Sequence, residues 1–157
     1  NIKFNNLNNI KPVNILVSDY VGKLKFYISK SYNSGTSSTI YKENRSSNKK
    51  NGIEQICTTL DNFVYKLGNN KPDLIKIDVE GAEEKVLIGA NRLILEHSPI
   101  IIVEIRSFNV LKRIKKILPK FYNLQPIYQV GPIGFIKKII KLKANNYIAR
   151  PNFEKIY

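Results

Sequence analysis

Apolar residues in this chain fall into short dense runs rather than one continuous helical stripe. Val13-Asn-Ile-Leu-Val17 and Lys23-Leu-Lys-Phe-Tyr-Ile28 are rich in β-branched and aromatic residues, and Ser18-Asp-Tyr-Val-Gly22 between them has turn chemistry, so the pair reads as a hairpin. From residue 29 to 52, Ser, Asn, Gly and Lys dominate without any apolar period, which predicts a long mobile loop. Order returns at Gln55-Ile-Cys57. Thr59 then stands where it can cap a short helix that carries Leu60, Phe63, Val64 and Leu67 and ends at Gly68.

The densest pattern begins after Pro72. Leu74 to Val79 reads as a buried parallel strand, and a helix follows whose apolar face takes Ala82, Val86, Ala90, Leu93 and Ile94. Pro99 stops that helix, and Ile100 to Ile105 supplies a second apolar strand, so 74–105 predicts a strand-helix-strand unit with a right-handed crossover. A basic amphipathic helix comes next, with Val110, Leu111, Ile114, Ile117 and Leu118 inward. Leu124 to Val130 and Tyr147 to Ala149 suggest a final strand pair, joined by the basic segment from Ile133 to Ala144. The reading is α/β. At 157 residues the chain has room for one core, divided as a 1–28 hairpin, a 29–52 loop, a 55–106 core unit and a basic 107–157 part.

Charge adds a second theme. The formal net charge is +14, and between Glu104 and Glu154 there is no acidic residue, so this stretch is either a polyanion-facing surface or a lysine-rich solvated face. Cys57 is the only cysteine, which excludes an intramolecular disulfide and fits a reducing compartment, the cytoplasm by default. No apolar run reaches the roughly 18 residues of a membrane-spanning helix.

In an open parallel sheet, ligands bind beyond the carboxyl ends of the strands, and Asp78 and Glu104 stand at two such ends. A carboxylate there can accept a proton from a substrate hydroxyl or orient it. The plainer reading of each is a solvated strand end or a helix cap. Glu80-Gly81 adds a glycine at the helix start, where backbone can approach a ligand closely. Asp19 ends the first run, where turn initiation competes with a ligand role. His97 reads as a residue near a helix C-terminus and Cys57 as core. No His, Asp and Glu cluster has ligand spacing in sequence, so no metal is expected, although Asp78 and Glu104 can meet in space.

Asp73-Leu-Ile-Lys-Ile-Asp-Val-Glu-Gly-Ala-Glu83, with Val86-Leu87, Gly89-Ala90 and Pro99 to Glu104 after it, resembles the signature of FkbM-family methyltransferases. Val17-Ser-Asp19 with Gly22, and Thr58-Thr-Leu-Asp61 with Phe63, extend the resemblance across roughly residues 8–106. It implies a class I, Rossmann-like sheet, mostly parallel. S-adenosylmethionine is the implied cofactor, and O-methylation of a hydroxyl on a sugar, glycan or small metabolite the implied activity. By that analogy Ser18 and Asp19 lie where the cofactor's adenine is read, and Asp78, Glu80 and Glu104 form the catalytic side. The family's glycine-rich loop and the acidic residue after it are expected before Asn1, with two strands that would stand between 13–17 and 74–78. On this reading the domain is truncated at its N-terminus and binds the cofactor poorly. An alternative function is a basic module, centred on residues 106–150, that contacts nucleic acid or an anionic membrane surface.

Overall fold

The computed structural model describes residues 2–27, 52–128, 146–152 and 154. Most of the expected 29–52 loop and the basic 133–144 segment lie outside these residues.

Two sheets form. In the first, β1 (Leu16–Val17), β2 (Gly22–Tyr27) and β3 (Gly52–Thr58) stand in the order β1-β3-β2. The expected hairpin is therefore corrected, because β3 separates its two arms. The link 18–21 crosses the end of β3, where Cys57 is paired with Leu16 on one side and Gly22 on the other. Ser18 N–H donates to the Thr58 carbonyl at 2.8 Å, and the Tyr20 hydroxyl donates to the Lys23 carbonyl at 2.9 Å, holding the link in that path.

The second sheet contains β4 (Leu74–Ile77), β5 (Ile100–Glu104), β6 (Tyr122–Ile127) and β7 (Asn146–Pro151) in the order β4-β5-β7-β6. Among the described residues β1-β3 and β4-β5 are parallel, whereas β2-β3, β5-β7 and β6-β7 are antiparallel. A mostly parallel class I sheet is thus not what forms. Parallel pairing needs a crossover that carries the chain back to its starting edge. Helices supply one between β4 and β5, but β7 enters beside β5 running the other way. Among the described residues no ladder joins β1 to β4.

Between β4 and β5 the expected single helix is two, α1 (Glu83–Ile88) and α2 (Asn91–His97). The break has a steric cause. Gly89 lies against the backbone of Ser18 so closely that a Cβ would collide with the Ser18 carbonyl oxygen. Asp61 then stitches the break: its N–H donates to the Gly89 carbonyl at 2.9 Å, and its carboxylate accepts from Arg92 N at 2.9 Å and Leu93 N at 2.8 Å. Those are orphan donors of the α2 N-terminus, capped here from a distant part of the chain. Asp61 itself sits at the start of a short helix whose Asn62 N–H donates to the Thr59 hydroxyl at 2.9 Å, as the sequence predicts. That helix widens over Asn62–Lys66, with Leu67 N–H reaching back to the Asn62 carbonyl, before Gly68 leaves it at φ 69°.

The core lies between the second sheet and the helices. Ile77, Ile101, Val103 and Ala149 meet Val86, Leu87 and Ile94, and α3 (Phe108–Ile117) contributes Ile114. Ser107 caps α3 by accepting from Val110 N at 3.2 Å. The Tyr122 hydroxyl is buried and donates to the Pro99 carbonyl at 2.7 Å, tying the start of β6 to the residue before β5.

Replacing Gly89 with Ala should lower stability by about 1–3 kcal/mol, because backbone rather than a flexible side chain must yield. Chemical denaturation checks this, and an unchanged midpoint would show that the close approach is not needed. Burial raises the Tyr122 pKa from its ordinary 10.0 to about 12. The neutral phenol is favoured in the folded state, so its contribution is complete below pH 10.0 and is lost as pH rises toward about 12. Tyr122→Phe should cost about 1 kcal/mol at neutral pH and flatten that alkaline decline.

Candidate functional site

Ile77 is in register with Val103, so β4 and β5 end side by side and deliver Asp78 and Glu104 to the same edge of the sheet. Beyond β4 the chain reverses through Glu80 at φ 55° and Gly81 at φ 106°. A left-handed conformation is free for Gly81 but costs Glu80 about 1–2 kcal/mol. The reversal folds Glu80 back over the strand ends, and one carboxylate oxygen from each of Asp78, Glu80 and Glu104 lies within 4.8 Å of the others. Gly81 N–H is occupied by Glu83 Oε1 at 2.8 Å, a local cap for the α1 entry.

Three carboxylates at this spacing repel, and Arg106 resolves most of the conflict. Its Nη1 and Nη2 donate to the two oxygens of Glu80 at 2.5 Å each. Nη2 and Nε also donate to Glu104 Oε2 at 2.8 and 3.0 Å. Planar fork-on-carboxylate pairing is the strongest geometry available to these groups. The Glu80 side chain is only 9% exposed, and a nearly dry carboxylate requires such a partner. The hydrogen bonds to Glu80 first, and to Glu104 second, drive the Arg106 pKa above its already high ordinary value. Asp78 stands outside this clamp, 49% exposed, with Lys76 Nζ 3.1 Å from Oδ2. The spacing of the triad is that of metal-holding groups, but the Arg106 guanidinium occupies the cation position for two of its members.

Sequence reasoning therefore placed Asp78, Glu80 and Glu104 together and missed Arg106. The signal was present: Arg106 is two residues beyond Glu104, and in an extended chain positions i and i+2 share a side.

Ser18 and Asp19 are not brought to this cluster. Ser18 is buried, its hydroxyl donates to Asp19 Oδ1 at 2.9 Å, and its carbonyl rests on Gly89 at the far end of α1 from Glu80, about 9 Å along the helix. Near them opens a cavity of about 290 Å³ lined in part by Val21, Asp61, Tyr65 and Arg92. Arg92 lies 3.8 Å over the Tyr65 ring and donates to Glu96 at 2.8 Å. His97 stacks near Tyr65 with ring centres 6.0 Å apart, and its Nε2 is buried without a hydrogen-bond partner. Cys57 is buried in β3, with Sγ 3.6 Å from the Tyr20 carbonyl.

A family model described as the Methyltransferase FkbM domain matches residues 1–128. The chain belongs to the FkbM methyltransferase family. It is also similar in fold to the crystal structure of Methyltransferase FkbM from Methylobacillus flagellatus KT, at 15% sequence identity and a TM-score of 0.55. That likeness covers 94% of this chain and 31% of the other, so this FkbM chain spans about a third of the length of that structure. A search of the curated proteins finds no match. The sequence run from Asp73 to Glu83 builds the end of β4, the Glu80-Gly81 reversal and the start of α1, which is where the carboxylates meet.

S-adenosylmethionine, implied by the resemblance, presents a ribose diol and a charged methionine end, which call for a carboxylate and open backbone N–H groups. Asp19 offers an exposed carboxylate. The N–H of Gly81 is taken by Glu83 and the open face of Gly89 by the Ser18 carbonyl, so these glycines provide no cradle.

Arg106→Ala leaves Glu80 nearly buried without its counter-charge and should cost about 2–4 kcal/mol, somewhat below a fully buried pair because Arg106 is 43% exposed. Arg106→Lys should recover only part of this, since an ammonium cannot reproduce the fork. Equal stability of all three proteins in urea would contradict the clamp.

Proposed function

We propose that this chain forms the acceptor side of an S-adenosylmethionine-dependent O-methyltransferase acting on a hydroxyl of a sugar, glycan or small metabolite. One observation carries the reading. After Arg106 and Lys76 have taken their partners, two carboxylate oxygens at the strand edge have no hydrogen-bond partner among the described residues, Asp78 Oδ1 and Glu104 Oε1. One oxygen of Asp78 and one of Glu104 lie within 4.8 Å of each other, a spacing at which two carboxylates can bracket one hydroxyl group.

In this reading Asp78 is the general base. Its carboxylate is the one member of the triad outside the guanidinium clamp, and its exposure lets an acceptor reach it. Glu104 Oε1 accepts a hydrogen bond that orients the acceptor, while Arg106 keeps the Glu104 side chain from rotating. Glu80 acts through Arg106 as a positioning residue. Methyl transfer demands an aligned oxygen and removal of one proton, and no protein nucleophile, so two such carboxylates meet the demand. Family membership supports the reaction class, and the choice of a hydroxyl rests on the carboxylates.

The test is transfer of labelled methyl from S-adenosylmethionine by this protein to a panel of sugars and hydroxylated metabolites. Asp78→Asn should lower kcat by about 100-fold or more with little change in KM. Glu104→Gln should chiefly raise the acceptor KM, by roughly tenfold. Full turnover by Asp78→Asn would place the base elsewhere, and labelling confined to nitrogen acceptors would overturn the reading.

A further inference from the structure

The edge of the second sheet opposite the carboxylates carries a different chemistry. Where α3 ends and β6 begins, a cavity of about 500 Å³ is lined by Lys115, Lys116, Lys120, Leu118, Tyr122 and Leu124, among others. Its location is set by the fold. Tyr122 is bonded to the Pro99 carbonyl just before β5, whereas Glu104 closes the other end of that strand. A five-residue strand separates the two, about 16 Å, so this cavity lies outside the proposed acceptor site.

Five cations elsewhere in the described residues are taken up in ion pairs, and the lysines of this cavity are not among them. Lys23, Lys76, Arg92, Arg106 and Arg113 each pair with a carboxylate, Arg113 with Glu84 from the same helix that bears Lys115 and Lys116. Lys115, Lys116 and Lys120 form no ion pair among the described residues, and no acidic residue lines the cavity. The dipole of α3 gives a local reason for lysines in its last turn. It gives none for Lys120, which follows Pro119 beyond the helix end. Leu118, Tyr122 and Leu124 line the cavity beside the lysines, and the Tyr122 hydroxyl is held by its bond to the Pro99 carbonyl. Concavity, apolar and aromatic side chains in the lining and unpaired lysines together fit a small-molecule site, whose typical volume is about 300–1,000 Å³.

We propose that this cavity binds a phosphate-bearing small molecule with an aromatic or apolar body. The phosphate lies among Lys115, Lys116 and Lys120, and the body covers Leu118, Tyr122 and Leu124. A flat polyanion such as duplex nucleic acid would engage the lysines without needing the apolar lining, and that difference is measurable.

The probe is phenyl phosphate, titrated calorimetrically into the full chain, with inorganic phosphate, a random DNA duplex and phosphatidylserine vesicles as separate arms. Saturable 1:1 binding of phenyl phosphate is expected, about tenfold or more tighter than inorganic phosphate because of the apolar lining. The Lys115→Ala/Lys120→Ala double variant should weaken phenyl phosphate by about tenfold or more, as each lost ammonium removes a charge-assisted contact. Lys115→Arg/Lys120→Arg should retain binding, and Lys23→Ala, a distant paired lysine, should leave it unchanged. All the altered lysines are exposed, and a thermal melt verifies that each variant is folded. Absent binding, equal affinity for inorganic phosphate, or the same loss in Lys23→Ala would overturn the proposal. Duplex or vesicle binding that depends on these lysines without any for phenyl phosphate would also overturn it, and would mark a macromolecular interface.

Discussion

Glu80 is withdrawn almost entirely from water in a backbone conformation that an L residue avoids, and both conditions are costly alone. Arg106 makes them tolerable by meeting both carboxylate oxygens at once. The same guanidinium reaches Glu104, so one side chain ties the turn after β4 to the end of β5. That tie sets which carboxylates are committed and which oxygens remain. Asp78 stays accessible because the strongest donor at this edge is already saturated by its neighbours.

A second knot joins the small sheet to the helical layer. Asp61 N–H holds the Gly89 carbonyl and its carboxylate caps α2, while Ser18 from the end of β1 rests on Gly89. The segments that resemble the family upstream, around Ser18 and Thr58 to Asp61, thereby meet the Gly89-Ala90 segment in space. A missing Cβ, a helix cap and a close carbonyl form one contact there. Ser18 makes that contact through its backbone carbonyl, while Asp19 next to it is exposed and accepts a hydrogen bond from the Ser18 hydroxyl.

The molecule is also polarised by charge. Carboxylates gather at the carboxyl edge of β4 and β5, where Arg106 offsets part of their repulsion, and unpaired lysines gather at the opposite edge. Regions of opposite charge are thus separated by about the length of a strand.

Local pattern was enough to read the short strands, the Thr59 cap, the α3 face and the alternation that buries Ile101 and Val103, because each depends on neighbours within a few residues. It was also enough to place Asp78 and Glu104 at one edge, since a short helical crossover between two apolar strands leaves little choice. What it did not determine were contacts between distant segments. The hairpin of β1 and β2 failed because β3, far away in sequence, competes for both partners. The expected continuous helix after β4 broke where Ser18 arrives from another sheet, and the mostly parallel sheet gave way to β7 entering antiparallel beside β5. Arg106 stood two residues beyond Glu104, where an extended chain puts both on one side, but nothing in the sequence set it apart from the other cations. Its role came from Glu80 folding back through a left-handed turn, and periodicity along a sequence does not encode where such a reversal delivers a side chain.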